Sequence, residues 1–292
     1  MSDGTVAICG TCPRHCRLAE GETGFCRARK AAEGRVVAAN YGKITSIALD
    51  PIEKKPIAFF RPGSNILSIG SFGCNLRCPF CQNEAISQYG EGQVPVQTAQ
   101  PKELADLAQR LKDEQGNIGL AYTYNEPLVG WEFVRDCAQE IHARGMLNVL
   151  VSNGCAEAEI IQELAPLIDA ANIDLKGPSQ KYYDWTGGDF GAVCRTIGTL
   201  HSAGCHVEVT TLIVPGRNDA ESDMDAIASF LASVSPDIPL HVTRFFPRFQ
   251  MSDAQPTPIP TIRRLVAVAR HRLHRVLAGN CLIAITLLLL QL

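Results

Sequence analysis

The chain has 292 residues, a formal net charge of −3 and a pI of about 6.2. Hydrophobic residues make up 46% and charged residues 20%, which allows a sizeable core and excludes extensive disorder. The charge balance gives no reason to expect a nucleic-acid or membrane partner. The start has no apolar signal-peptide core, and the longest apolar run, 281–292, is shorter than the roughly 18–20 residues that span a bilayer. We therefore expect a cytoplasmic protein.

The predicted elements begin with a segment, 1–40, that is rich in cysteine, arginine and glycine and has no helical or strand period. Such a segment needs a metal to hold it together. A linker at 41–64 follows, with a short strand and a proline-interrupted loop. From residue 65 strands and helices alternate. The predicted strands are 65–73, 117–124, 147–152, 170–176, 206–214 and 240–245, and the helices 101–115, 131–145, 158–168, 189–204 and 220–234.

The strands are apolar on both faces, as in a parallel sheet covered by helices. Six strand–helix units are fewer than the eight of a closed barrel, so we predict an α/β fold with a partial (β/α)6 TIM-like barrel over 65–250. A C-terminal helix and apolar tail occupy 251–292. The basic amphipathic stretch 261–275 is either a solvated helix face or a surface for an acidic partner.

Twelve cysteines are distributed unevenly, and in a reducing compartment they indicate metal ligands before disulfides. One group follows the first barrel strand, in GSFGCNLRCPFCQN, with the spacing C-x3-C-x2-C and an aromatic, Phe80, before the third cysteine. Three thiolates can ligate three irons of a four-iron cluster and leave the fourth open, which marks a reactive site. A zinc site or chance clustering would explain neither the aromatic nor the strand-end position. The members are Cys74, Cys78 and Cys81.

This pattern resembles the signature of the radical S-adenosylmethionine (SAM) superfamily. The resemblance implies that these three cysteines hold a catalytic [4Fe–4S] cluster, whose open iron binds the amino and carboxylate groups of SAM. It also implies that one electron from a flavodoxin- or ferredoxin-type reductant cleaves SAM to a 5′-deoxyadenosyl radical, which abstracts hydrogen from a substrate. The protein would supply ligation, orientation and exclusion of water.

From about residue 8 to about residue 280, segments such as CGTCPRHCRL, YTYNEP, NIDLKG and LIVPGRND resemble the AmmeMemoRadiSam system radical SAM enzymes. That family is related to the pyruvate formate-lyase activating enzymes. The resemblance implies an oxidoreductase like the glycyl-radical activases, with a protein substrate or AmmeMemo-family partners. Radical modification of a small molecule or an RNA base, or a non-catalytic metal-binding module, stays open. The C-terminal tail, 281–292, departs from the family because it lacks a further cysteine-containing segment. Whether this altered tail abolishes activity stays open.

Four further segments at strand ends resemble those that line the SAM site of the activating enzymes. Glu126 would receive the amino group of SAM, or cap a helix. Ser152 and Asn153 would line the site or form a turn. Asp174 would line it or pair with Lys176. His241 is predicted to point inward near the nucleoside or substrate, with a core histidine as the alternative.

The N-terminal cysteines have the spacing C-x2-C-x3-C-x9-C, which suits a closed, structural four-thiolate site. Zinc is the first expectation and a second iron–sulfur cluster the alternative, because thiolates alone do not discriminate. Neighbouring arginines would offset the negative charge of either. The members are Cys9, Cys12, Cys16 and Cys26.

Overall fold

The structure, a computed structural model, describes residues 6–281. The interpretation of the apolar tail therefore falls, from residue 282 onward, outside the described residues. No helix in the described range is long and apolar enough to cross a membrane.

The N-terminal segment is built from two short antiparallel hairpins. Strand β1 (Ala7–Ile8) pairs with β2 (Arg17–Leu18), and β3 (Arg29–Ala32) pairs with β4 (Arg35–Ala38). The second hairpin turns through Glu33 and Gly34, whose φ angles are both positive, as a tight two-residue hairpin turn requires. Strands of two to four residues are too short to produce a recognisable period, which is why the sequence did not reveal them.

The linker contains the predicted strand and loop. Strand β5 (Lys43–Ile44) is followed by β6 (Ser46–Pro51), which runs antiparallel along the whole of β7 (Asn65–Gly70). A single 3-10 turn, Ile52–Lys54, begins directly after Pro51. The prolines therefore end the strand without starting a longer helix.

The strands and helices predicted between residues 65 and 250 all form, with boundaries within a few residues of those expected, and several short elements lie between or beyond them. The helices are α1 (Glu84–Ser87), α2 (Pro101–Gln115), α3 (Trp131–His142), α4 (Ala158–Leu164), α5 (Gln180–Thr186), α6 (Phe190–Ser202), α7 (Glu221–Val234) and α8 (Ile259–Ala269). The strands are β8 (Gln97–Thr98), β9 (Asn117–Tyr122), β10 (Leu147–Ser152), β11 (Ala170–Asp174), β12 (His206–Ile213), β13 (Leu240–Arg244) and β14 (Val276–Gly279).

The main sheet of the described chain has eight strands in the order β6–β7–β9–β10–β11–β12–β13–β14. Neighbours from β7 to β14 are parallel, and β6 is the antiparallel edge. The two edges are not paired with each other, so the sheet is open. The predicted α/β fold with a parallel sheet is confirmed, and the sheet extends on both sides beyond 65–250.

Three features correct the sequence-based elements. The strand at 240–245 is not the last, because β14 adds to the sheet beside β13. The helix predicted over 261–275 ends at Ala269, since the chain must turn back to reach β14. Helices α1 and α5 and strand β8 were not predicted, because elements of two to seven residues are too short to establish a period.

A loop fills the inside of the barrel near the beginnings of the strands. Ile52 and Ile57 are fully buried and pack against Ile66 and Val149. The carbonyl of Pro56 in this loop accepts a 2.7 Å hydrogen bond from Asn172 Nδ2 on β11. Because that end is occupied, the carboxyl ends of the strands are the place for a site.

Candidate active site at the carboxyl ends of the strands

The first cysteine loop leaves β7 through a glycine that no other residue could replace without strain. Gly73 has a φ of +87°, and a Cβ on it would lie 2.5 Å from the carbonyl oxygen of Cys26 and 2.8 Å from Cβ of Ala28. The next amide, Cys74 N, donates to that Cys26 oxygen at 3.1 Å. The loop is therefore held directly against the N-terminal segment.

The three thiols of this loop are at least half-buried and unoxidised. Cys74 Sγ accepts a hydrogen bond from the amide of Leu76 at 3.3 Å, and Cys81 Sγ lies 3.1 Å from Ser87 Oγ. Burial raises the pKa of Cys78 to about 11 and raises that of Cys74 as well. Neutral thiols become ligands when a metal displaces their protons.

The donor set and its spacing fit a polynuclear cluster. Among residues 6–281 no three His, Cys, Asp or Glu side chains lie close enough to share one metal ion. In a cubane each thiolate binds its own iron, so the three sulfurs need not converge on a point. Cys74, Cys78 and Cys81 are therefore the residues that would hold an iron–sulfur cluster.

A buried carboxylate lies beside this loop. Glu126 follows β9 and accepts hydrogen bonds from Ser152 Oγ at 2.7 Å, Asn153 N at 2.7 Å and Leu128 N at 2.9 Å. The bond from Leu128 also makes Glu126 the cap of the 3-10 turn Pro127–Gly130, as the alternative interpretation predicted. Burial raises the pKa of Glu126 to about 7, although the three hydrogen bonds act to lower it. Within the described residues, none of the ion pairs involves Glu126.

Asn153 connects the carboxylate to the cysteine loop. Its Nδ2 donates to Asn75 Oδ1 at 2.9 Å and lies 3.6 Å from Cys74 Sγ. Asn75 Nδ2 in turn donates to the carbonyl of Cys155 at 2.6 Å. The structure thus brings Glu126, Asn153 and Cys74 together. Sequence reasoning missed Asn75, although an amide between two ligand cysteines was a visible signal.

Asp174, the last residue of β11, forms the ion pair that was the alternative to a cofactor role. Lys176 Nζ lies 2.9 Å from Asp174 Oδ2. The ammonium also lies 6.0 Å from the ring centroid of Phe80 in the cysteine loop. The pair is therefore placed at the cysteine loop, and Lys176 is a site residue that the sequence analysis treated only as a partner.

His241 points inward as predicted, but its partner is another buried group. It is the second residue of β13, and its Nε2 lies 2.6 Å from Glu208 Oε2. The same carboxylate contacts Nε2 of His206 at 2.9 Å and accepts from the amides of Ala58 and Phe59 in the loop that fills the barrel. Within residues 6–281, no hydrogen bond of the His241 side chain reaches the cysteine loop. A role for His241 toward SAM stays a prediction.

The four N-terminal cysteines lie together. They line one small cavity, which Arg14, Arg29 and Asn75 also line. All four thiols are free. The structure thus places Cys9, Cys12, Cys16 and Cys26 around one space, and a metal held by them stays a prediction.

Comparison with known proteins agrees with this site. The model of the Radical SAM superfamily matches residues 68–231. An uncharacterized protein of Methanocaldococcus jannaschii is 40% identical over 261 residues, 89% of this chain and 77% of that protein. The benzylsuccinate synthase activating enzyme of Thauera aromatica is 29% identical over 116 residues, 39% of this chain and 35% of that enzyme.

A solved structure shows the same fold. A radical SAM methyltransferase from Sphaerobacter thermophilus has a TM-score of 0.57 at 15% identity, covering 75% of this chain and 67% of that one. The family match spans the parallel strands β9 to β12 and the whole cysteine loop. The resemblance to the radical SAM superfamily, inferred from the C-x3-C-x2-C spacing and the aromatic before its third cysteine, is therefore confirmed. The chain belongs to the radical SAM superfamily, whose members use an iron–sulfur cluster and SAM.

Proposed function

We propose that this protein is an oxidoreductase that cleaves SAM reductively and uses the resulting radical to take a hydrogen atom from a substrate, in the manner of glycyl-radical activases. When bound, a [4Fe–4S] cluster and SAM supply the electron transfer and the 5′-deoxyadenosyl radical. Cys74, Cys78 and Cys81 hold the cluster. The observation that carries the proposal is the buried carboxylate of Glu126, which lies beside this loop without a positive partner among the described residues.

The residues around the loop have distinct tasks in this proposal. Glu126 accepts the cationic amino group of SAM, and Ser152 and Asn153 hold the carboxylate in position through their two 2.7 Å hydrogen bonds. Lys176 and Asp174 face the loop from β11 and supply one positive and one negative group to the polar parts of SAM. The barrel interior excludes water from the reaction because the loop around Ile57 closes its other end.

We further propose that the substrate is a protein. The similarity to the benzylsuccinate synthase activating enzyme supports a protein substrate, although that match covers only 39% of this chain. The AmmeMemo-family resemblance supports partner proteins of those families, and a flavodoxin or ferredoxin would be the reductant. A small-molecule or RNA substrate is the competing hypothesis. A second metal at the N-terminal cysteines completes the proposed cofactor set.

Isotope transfer tests the substrate class. Reduced, reconstituted protein is incubated with SAM and deuterated cell extract separated into protein and low-mass fractions, and 5′-deoxyadenosine is analysed for deuterium. We expect deuterium from the protein fraction. Deuterium from the low-mass fraction alone would contradict the activase-like proposal. A Cys78→Ala variant, which should form no 5′-deoxyadenosine, controls for background.

A further inference from the structure

Three arginine side chains gather where the N-terminal segment meets the first cysteine loop. The guanidinium carbons of Arg14 and Arg77 lie 3.6 Å and 3.9 Å from the ring centroid of Phe25, so both charges lie against one ring. The third arginine, Arg27, directly follows Cys26. Arg14 is exposed, and Phe25, Arg27 and Arg77 are half-buried. We call Arg14, Phe25, Arg27 and Arg77 the arginine face.

The three positive charges of this face are crowded and have no carboxylate partner within residues 6–281. Burial lowers the pKa of Arg77 to about 10, and the charges of Arg27 and Arg14 act in the same direction. The arginines that do form ion pairs in the described chain lie elsewhere, and they are Arg29, Arg135, Arg144, Arg264 and Arg272. Like charges held together repel one another, so this face favours a negative partner.

Arg27 is held in a conformation that costs free energy. Its φ is +63°, in the left-handed region that favours glycine, and its Nη1 is buried without a hydrogen-bond partner among the described residues. A Cβ on Gly90 would lie 3.2 Å from Cβ of Arg27, and the preceding residue, Tyr89, is 45% exposed. Arginine beside an exposed tyrosine is the composition of protein–protein contact surfaces. The unpaired donor of Arg27 points to an acceptor that comes from outside the chain.

The other guanidinium donors are directed to separate places. Arg14 Nη2 donates to the carbonyl of Gly187 at 2.6 Å. Arg77 Nη1 donates to the carbonyls of Cys74 at 3.0 Å and Leu76 at 2.9 Å. The charges therefore cover an area and do not converge on one small anion. A protein surface that carries several carboxylates matches such an area.

The charge distribution of the chain favours an acidic partner at this face and not elsewhere. Residues 6–40 contain six Lys or Arg and three Glu, a net charge of +3, although the whole chain has a net charge of −3. An acidic protein is therefore attracted to the N-terminal segment more than to the remainder. Because Arg77 is bonded to the carbonyl of Cys74, only the backbone of the cysteine loop separates a partner docked here from the ligands of the cluster.

We propose that the arginine face is the docking surface for an acidic, one-electron donor protein. This inference rests on the proposed function, in which the cluster must receive an electron, and it assigns the place where the donor binds. The donor is oxidised by one electron and the cluster is reduced by it. The electron is then consumed in breaking the sulfonium C–S bond of SAM, which gives methionine and the 5′-deoxyadenosyl radical.

Binding of a flavodoxin with an acidic surface tests the face directly. The flavodoxin is titrated into the reconstituted protein in a calorimeter at low and at high salt. We expect Arg14→Glu to raise the Kd about tenfold at low salt, and the difference to shrink at high salt because salt screens exposed charges. Arg14→Lys, which keeps the charge, and Arg263→Glu, at an exposed arginine of α8, should bind nearly as the unaltered protein does. An unchanged Kd for Arg14→Glu would overturn the proposal.

The rate of cluster reduction separates docking from a direct effect on the cluster. Reduced flavodoxin or photoreduced 5-deazariboflavin, a small reductant without a protein surface, is mixed with the oxidised protein, and the loss of visible absorption is followed. We expect Arg14→Glu and Arg27→Gln to slow reduction by flavodoxin and not by deazariboflavin. Equal slowing with both reductants would mean that the arginines act on the cluster itself, and the docking proposal would be wrong.

Two further outcomes are distinguished by the same variants. Transfer RNA that binds the unaltered protein but not Arg14→Glu, together with unchanged reduction of Arg14→Glu by flavodoxin, would assign the face to a nucleic acid and overturn the proposal. Failure of the proposed function would appear separately, as a cluster that flavodoxin reduces normally in a protein that forms no 5′-deoxyadenosine.

Discussion

Two carboxylates are almost completely buried in this barrel, and they are opposite in character. Glu126 accepts its hydrogen bonds from neutral groups, and burial raises its pKa to about 7. Glu208 is equally shielded, but bonds from His206 and His241 and from two backbone amides outweigh burial and lower its pKa to about 2. Burial alone therefore does not determine the pKa of either group; the hydrogen bonds that each carboxylate accepts decide whether burial prevails.

In the proposed function, this difference separates a carboxylate that holds the fold together from one that binds SAM. Glu208 has two histidine partners within the fold, and it ties β12 and β13 to the loop that fills the barrel. Glu126 has well-placed donors but no cation among the described residues, and in the proposed function the amino group of SAM is that cation. An amino group bound at the carboxyl ends of the strands would donate a further hydrogen bond to Glu126, as the two histidines contact Glu208.

Removing a cysteine ligand of the cluster should have the largest effect on activity, and it should leave Glu126 and Glu208 in place. For Cys78→Ala we expect complete loss of SAM cleavage and loss of the iron of the first site, because the remaining two thiolates cannot hold a cubane. Product analysis and iron content measure this. Cleavage by Cys78→Ala at the rate of a Cys194→Ala control would mean that the chemistry lies elsewhere.

Replacing the functional carboxylate should weaken cofactor binding. A charge-assisted hydrogen bond contributes about 1.5–3 kcal/mol, so Glu126→Gln should raise the Kd of SAM by roughly 10- to 150-fold. Calorimetric titration of the reconstituted protein measures the change. Glu114→Gln, at an exposed carboxylate of α2, serves as the control and should bind SAM as the unaltered protein does. Equal affinity in both variants would reject the assignment of Glu126.

Replacing Glu208 should lower the stability of the folded protein. Glu208→Gln replaces one accepting oxygen by an amide donor, so that either buried His241 or half-buried His206 loses its acceptor, and we expect the free energy of unfolding to fall by about 1–3 kcal/mol. Denaturant titration at pH 7 measures it, with the exposed Glu114→Gln as a control that should change little. Unchanged stability of Glu208→Gln would show that the histidine contacts contribute nothing net.

Lowering the pH should gradually remove the contribution of Glu208 to the free energy of unfolding. The pKa of Glu208 is lower in the folded protein, about 2, than its ordinary value of 4.5. Its stabilisation is therefore fully present above pH 4.5 and is lost as the pH falls toward 2. Unfolding of the unaltered protein and Glu208→Gln at several pH values should show their difference in stability narrowing over this range. A constant difference would contradict the low pKa.

The contrast between local and distant contacts also explains how far the sequence could be interpreted. Helix α2 was predicted to the residue because its signals are local: Pro101 opens it and Gly116, with a φ of +69°, ends it. The cluster-binding role of the cysteine loop could also be predicted, because its three cysteines lie within eight residues. Strand β14 was not, since its short apolar stretch acquires meaning only by pairing with β13.

The candidate site was predictable as a set of residues but not as a network. The family resemblance named Glu126, Ser152 and Asn153, but the ends of β9 and β10 had to meet before their hydrogen bonds could be stated. The pairing of His241 with Glu208 depends on the inward alternation of two neighbouring strands and could be suspected only as a satisfied core histidine. The contact between Cys26 and Cys74 joins segments with no pattern in common.

The most direct test of the account is product analysis of the unaltered protein. Protein reconstituted with iron and sulfide is reduced with dithionite in the absence of oxygen and given SAM, and methionine and 5′-deoxyadenosine are quantified. We predict that both appear in equal amounts and depend on the reductant. Protein that carries its full iron complement and binds SAM, yet forms neither product under these conditions, would contradict the proposed reaction.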